Sequence, residues 1–297
     1  MLEKQKAGFK LNKKIKDDVF NVDLIAQYNL SLQVNSTLFR VCVTDTIKNR
    51  CLLIEDYQLS AVAFPEELIR QLEKIYDDHH FLKAGYWKSI KLAIKNTNFS
   101  LIPDSLFDKQ YLKEYLNINC VYNNIATEEV YYYKQNSTNA VNIFSADAKI
   151  IDWFSGSYPG KKIKVIHHTS PLIEAVMVDS APKTEKSVYI QVEKNYLTIL
   201  VKKEKTLEFC NTFYFSSTED FVYYVMFVFD QLKLDPEKIP VIIWGEILPD
   251  SAIYNKLFKY IRYINFGNKP SSLQFGYYFD EVFDHNFYDL YSMHFCE

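Results

Sequence analysis

Alternating apolar positions set the plan of this chain. Leu32-Gln33-Val34, followed by Phe39, Val41 and Val43, returns as Ile190-Gln191-Val192, followed by Leu197, Ile199 and Val201, at an offset of 158 residues (190 − 32). Side chains that alternate point to opposite faces of a strand, so each copy reads as a hairpin with one buried face. Residues 30–34, 37–44 and 51–57 predict three consecutive antiparallel strands, and 188–192, 196–202 and 207–213 predict three more. After each meander the period becomes helical. Leu68, Leu72 and Ile75 follow Pro65 at the spacing of one buried helix face. The second helix follows Ser216-Ser217, with Glu219 placed to complete a capping box with Ser216. Apolar nearly all round, it is expected to be buried on most sides. The short apolar runs 90–94 and 241–244 then read as central strands.

A second match supports the repeat. Ile102-Pro103-Asp104-Ser105 returns as Leu248-Pro249-Asp250-Ser251 (250 − 104 = 146), each opening a helix with Asp or Ser as N-cap. The first half adds a hairpin at 129–133 and 140–144, a helix at 146–154, a strand at 163–167 and a helix opened by Ser170-Pro171. Residues 1–23 read as a solvated basic lead-in, 179–186 as a linker, and 272–278 as a last strand before an aromatic, acidic tail. The division predicted is 1–183, with the lead-in and extra hairpin, and 184–297, with the tail.

Composition narrows the function more by exclusion than by assignment. A net charge of −3 and only four arginines (Arg40, Arg50, Arg70, Arg262) argue against nucleic acid and against phosphate recognition. The five cysteines (Cys42, Cys51, Cys120, Cys210, Cys296) form no C-x-x-C pair, which speaks against a disulfide framework or thiolate zinc site and for a reducing cytoplasm. The N-terminus lacks an apolar h-region, and the longest apolar run, 221–229, is far too short to cross a membrane. A cytoplasmic protein without membrane insertion is the expectation.

Two strand-strand-strand-helix-strand-helix units suggest duplicated ribonuclease H-like domains, an α/β architecture. The chain resembles an uncharacterised family of bacterial proteins with an actin-like ATPase fold. The resemblance covers nearly the whole length and is carried by the 30–57 meander, the 101–107 run and the 188–213 meander. It implies mixed sheets, each opening with a three-stranded antiparallel meander. It also implies where a nucleotide would sit: at the turns of the opening hairpins, with a glycine pair against the adenine. Here those turns are Val34-Asn35-Ser36-Thr37 and Val192-Glu193-Lys194-Asn195, without glycine and with Glu193 the one acid. The glycine pair would fall near Trp244-Gly245-Glu246, where a single glycine stands. Backbone N–H groups approach phosphate closely where glycine removes the side chain, so these turns are poor phosphate cradles.

Other chemistry fares no better. The first strands carry Gln33 and Gln191 where metal-dependent nucleases of this fold need a carboxylate. Asp77-Asp78-His79-His80 cannot converge on one ion from a helix and reads as a solvated helix end. His167-His168, at a strand end, is expected to pack or cap. Asp147 and Asp152 point about 140° apart on a helix, and Asp147 in the first turn reads as a dipole partner. Gly156 reads as the mark of that helix's C-terminus. No nucleophile elbow, Walker loop, dinucleotide fingerprint or zincin string occurs.

The expectation is therefore a non-catalytic binding or scaffold protein acting through a protein partner, with no catalytic residue, metal or cofactor. The alternative is a divergent nucleotide-binding protein or ATPase, the one reading that calls for ATP and magnesium. Asn35, Ser36, Glu193, Lys194 and Gly245 are the candidate cleft or ligand-binding residues.

Overall fold

The computed structural model describes residues 8–120, 127–178 and 185–296. The start of the basic lead-in and most of the expected linker, residues 179–184, lie outside the described residues. The backbone divides into two compact units: one from Met1–Lys134, Asn139–Ser170 and Ser272–Glu281, the other from Gln135–Thr138, Pro171–Ser271 and Val282–Glu297.

The first unit is built on β1 (Phe9–Lys16), β2 (Tyr28–Asn35), β3 (Leu38–Asp45), β4 (Arg50–Leu59), α1 (Pro65–Asp78) and β5 (Ser89–Ile94). Next come β6 (Phe99–Pro103), α2 (Leu112–Leu116), β7 (Glu128–Lys134), β8 (Ala140–Asp147), α3 (Ala148–Ser157) and β9 (Ile163–His167). Strands β1, β4, β3 and β2 pair antiparallel in that order, and β5 and β9 extend the sheet in parallel from β2. Leu30, Leu32, Val34, Phe39, Val41 and Val43 are buried, and Phe39 meets Tyr76 of α1 and Phe154 of α3 at ring distances of 6.1 and 6.2 Å.

Four local expectations change here. The basic lead-in is in part β1, a strand paired to β4; a bulge between Leu11 and Lys13 breaks the alternation that would have revealed it. The helix after Pro103 is a 3-10 turn at Asp104–Leu106, and α2 begins at Leu112. Pro103 holds the cap position of that turn without a side-chain bond, and Asp108 caps the next turn instead. Strand β6 pairs with β8, and β7 with β8's other edge, in a separate three-stranded sheet over Ile102, Leu116, Val141 and Ile143. Asp147 is not in the first turn of α3 but at its N-cap, accepting from the Lys149 amide at 2.9 Å. Gly156 lies within α3, and Gly160 beyond it takes the left-handed conformation.

After α4 (Thr169–Val178), the second unit runs β10 (Lys186–Val192), β11 (Tyr196–Lys203), β12 (Thr206–Tyr214), α5 (Thr218–Gln231), β13 (Val241–Gly245), α6 (Ala252–Leu257) and β14 (Ile264–Phe266). The sheet order is β12-β11-β10-β13-β14, antiparallel through the meander and parallel from β10 onward. Val188, Ile190, Val192, Leu197, Ile199 and Val201 form its apolar core with Phe221, Val225 and Val228 of α5. The capping box of α5 is Ser217 with Asp220, one residue beyond the expected pair. Its outer face is not buried: Tyr223 and Phe227 are exposed and stack on each other at 6.1 Å. The expected last strand shrinks to β15 (Gln274–Phe275), which belongs to the first unit and pairs with β4. The chain ends in a short α7 (Tyr288–Tyr291) and a 3-10 turn.

The 158-residue repeat is thus a repeat of structure. The 146-residue match is not: Ser251 caps α6, between β13 and β14, whereas Asp104-Ser105 opens the 3-10 turn that follows β6 of the extra three-stranded sheet. In the first unit the segment that leads into the outer parallel strand β9 is α3.

Candidate functional site

Within the first unit, the C-terminal ends of β2 and β5 open into a cavity of about 230 Å³. Five segments wall it. Val34, Asn35 and Ser36 come from the β2–β3 turn, and Ile94, Lys95 and Asn96 from the end of β5. Residues 62–65 and Leu68 form the entry to α1; Ala146, Asp147 and Ile150 form the start of α3, and Glu128 begins β7. Both helices begin at this end of the sheet, and each leads into a strand that extends it in parallel, β5 after α1 and β9 after α3.

The polar groups around the cavity are largely engaged. Asn35 Oδ1 accepts from the Thr37 amide at 2.8 Å and lies 3.2 Å from the Thr37 hydroxyl, closing the turn on itself. Asn96 donates to the Ser145 carbonyl at 2.9 Å and accepts from the Asn98 amide at 2.9 Å. Glu128 accepts from the Ser145 hydroxyl at 2.5 Å, and Asp147 from the Thr127 hydroxyl at 2.7 Å. Lys95 is buried. The exposed Phe64 holds the N-cap position of α1 without a side-chain bond, so no hydroxyl or carboxamide marks this helix start.

The matching end of the second unit is built differently. The Lys95 amide donates to the Val34 carbonyl at 3.0 Å, and the Glu246 amide to the Val192 carbonyl at 2.8 Å, so the two strand ends share one backbone plan. Gly245, however, has φ = +99°, and a Cβ there would lie 2.0 Å from the Val192 carbonyl oxygen. The chain's own C-terminal segment covers this glycine. Its amide donates to the His285 carbonyl at 2.7 Å, and Asn286 Nδ2 donates to its carbonyl at 2.8 Å. Beside it, Tyr288 lies flat on Trp244 at 3.8 Å, and Tyr189 is also stacked on Trp244, at 5.4 Å. Glu193 and Lys194 occupy the β10–β11 turn, where the Glu193 amide donates to Tyr196 at 2.8 Å. The candidates therefore fall at two strand ends: Asn35 and Ser36 on the cavity, Glu193, Lys194 and Gly245 on its counterpart.

The profile of a family described as protein of unknown function (DUF3822) matches residues 17–264. The chain belongs to this family. Among solved structures, the DUF3822 chain is similar to a protein of actin-like ATPase fold and unknown function from Bacteroides thetaiotaomicron VPI-5482. That likeness has a TM-score of 0.78 and 22% identity, over 94% of this chain and 100% of that one. It is also similar to the PilM-PilN type IV pilus biogenesis complex, at a TM-score of 0.54 and 10% identity over 91% and 98%. No curated protein sequence matches it. The fold is thus the actin-like ATPase fold with two domains, as the duplicated meanders implied.

Two buried polar clusters lie elsewhere in this DUF3822 member; the sequence missed the first and read the second, His167-His168, as packing or capping. Glu55, fully buried in β4, receives His79 Nε2 at 2.7 Å, Lys14 Nζ at 2.7 Å and the Tyr57 hydroxyl at 2.8 Å. Burial alone would raise its pKa; the His79, Lys14 and Tyr57 contacts outweigh that and hold it at about 2. His79 is consequently no solvated helix end. His167 bonds Thr169 at 2.7 Å and the Asn96 carbonyl at 3.1 Å, and burial pushes its pKa down to about 3. His168 is driven down by burial as well. Both stay neutral and structural. The partners of Glu55 lie 41, 2 and 24 residues away, a separation that no local pattern betrays. Among the described residues no group of three metal-ligating side chains converges, and no helix is long and apolar enough to cross a membrane.

Proposed function

We propose that this DUF3822 protein is a non-catalytic binding or scaffold protein, acting through protein–protein contact on an actin-like fold that has lost its phosphate cradle. The observation that carries this reading is the state of the two opening turns. In the first, the Asn35 side chain takes the Thr37 amide that a phosphate would need. At the second strand end, Gly245 is packed against its neighbours and its amide and carbonyl are both bonded to the C-terminal segment. In the second opening turn the Glu193 amide is bonded to the Tyr196 carbonyl, so each turn has a backbone N–H taken that phosphoryl transfer would need positioned on phosphate. The PilM-PilN neighbour, a complex of two proteins on a related fold, makes a partner-binding role the natural alternative. The cytoplasm is the proposed location.

Tagged protein recovered from its native cells after mild cross-linking tests this. A stoichiometric protein partner, retained equally with and without magnesium ATP, is expected. Release of that partner by ATP, or ATP hydrolysis by the pure protein above a heat-treated control, would favour the divergent ATPase instead.

A further inference from the structure

We propose that the cavity in the first unit is the anchor pocket for a partner peptide, taking one large apolar side chain flanked by basic residues. This inference rests on the scaffold reading and names the place where the partner docks.

Three observations carry it. The first is what the cavity has left to offer. Asn35, Asn96, Glu128 and Asp147 all hold intramolecular hydrogen bonds, with which a polar ligand would compete. The remaining wall is Val34, Val62, Leu68, Ile94 and Ile150, with the exposed Phe64 at the entry to α1. Unlike the polar groups, this surface loses nothing when covered, and burying apolar area is favourable.

The second is size. About 230 Å³ admits a single leucine, methionine or phenylalanine side chain. Concave pockets that desolvate one such anchor dominate many protein interfaces.

The third is charge. Lys95 against Glu128 and Asp147 leaves −1 on the wall, and Glu66, Glu67 and Lys149 beside it bring the sum to −2. These carboxylates draw in a basic flank. Ser36, exposed at the turn, supplies a hydroxyl for the backbone of the incoming segment.

Blocked tripeptides titrated into the full-length protein, followed by backbone amide NMR, test the pocket directly. Acetyl-Lys-Phe-Lys-amide should give saturable shifts at Ser36, Phe64, Lys95 and Asn96. Lys-Ala-Lys and Glu-Phe-Glu peptides should bind at least about tenfold more weakly. Ala63→Trp, at an exposed loop position, should abolish the response while leaving the rest of the spectrum in place, and Phe64→Ala should weaken it. No saturable shift at the solubility limit of the Lys-Phe-Lys peptide would overturn the proposal. So would an equal response to the alanine peptide, or undiminished binding by both variants. Magnesium ATP titrated in parallel separates the two readings. Shifts at the turns with ATP count against the scaffold, whereas silence with both ligands counts against the pocket alone.

Discussion

The two units place the same backbone bond at the same corner and then do opposite things with it. After β5, Lys95 bonds back to Val34 and the chain leaves an open cavity; after β13, Glu246 bonds back to Val192 and the C-terminal segment covers the end of the strand. The side chain at the turning point decides the difference. Ile94 carries a branched side chain that helps to wall a cavity. Gly245 carries none; the Val192 carbonyl lies where a Cβ would stand, and the His285 carbonyl accepts from the Gly245 amide. A duplicated fold thus yields one open corner and one covered by the chain's own C-terminal segment.

The largest expected effect breaks the closed corner. Gly245→Ala sets a Cβ against the Val192 carbonyl at a positive φ, and should cost about 3 kcal/mol or more in urea unfolding. Gly156→Ala is the control. Nothing lies within 4 Å of that Cβ, and the change sits inside α3, so it should be neutral or stabilise by up to about 1 kcal/mol. Equal losses in both variants would remove the special role of Gly245.

Tyr288→Ala comes next. It strips the ring that lies on Trp244 and should lose about 3–4 kcal/mol, with a change in tryptophan fluorescence. An unchanged unfolding midpoint would mean that the C-terminal segment does not hold that corner.

Acid sharpens the contrast between the cores. In the first unit the test falls on Glu55, a carboxylate buried in β4. The folded pKa of Glu55, about 2, lies below its ordinary 4.5, so its contribution is present above pH 4.5 and is lost as pH falls through 2. Glu55→Gln should therefore destabilise by roughly 2–3 kcal/mol at pH 7 and flatten stability between pH 4.5 and 2. Parallel acid limbs for variant and wild type would show that the cluster is not ionised as described. The smallest effect is at the open corner. Asn35→Ala removes one turn bond, exposes the Thr37 amide, and should cost about 1 kcal/mol by thermal unfolding.

Much of the scaffold was legible because the meanders obey strict alternation and their turns are short. Strand β1 was hidden by a bulge and by lysines whose heads reach Glu55 and Glu281. The capping residue of α5 was displaced by one because Ser216 and Ser217 both precede an acid at capping distance, and only the backbone decides between them. The Pro-Asp-Ser match misled because a string of four residues fits a strand end as well as a helix start. The cavity was half visible: Asn35 and Ser36 stood out, but Phe64, Lys95 and Asp147 join them only once four other segments return to the same strand ends. The role of Gly245 was legible as an anomaly and not as a cause, since its partners His285 and Asn286 lie 40 residues on.

The central claim is that neither corner holds a nucleotide, and a thermal-shift titration of the intact protein with magnesium ATP, ADP and GTP tests it most directly. A ligand that binds only the folded state raises the apparent stability as RT ln(1 + [L]/Kd). The account expects an unmoved melting temperature up to millimolar nucleotide. A dose-dependent rise that saturates, and that Asn35→Ala or Gly245→Ala alters, would contradict it.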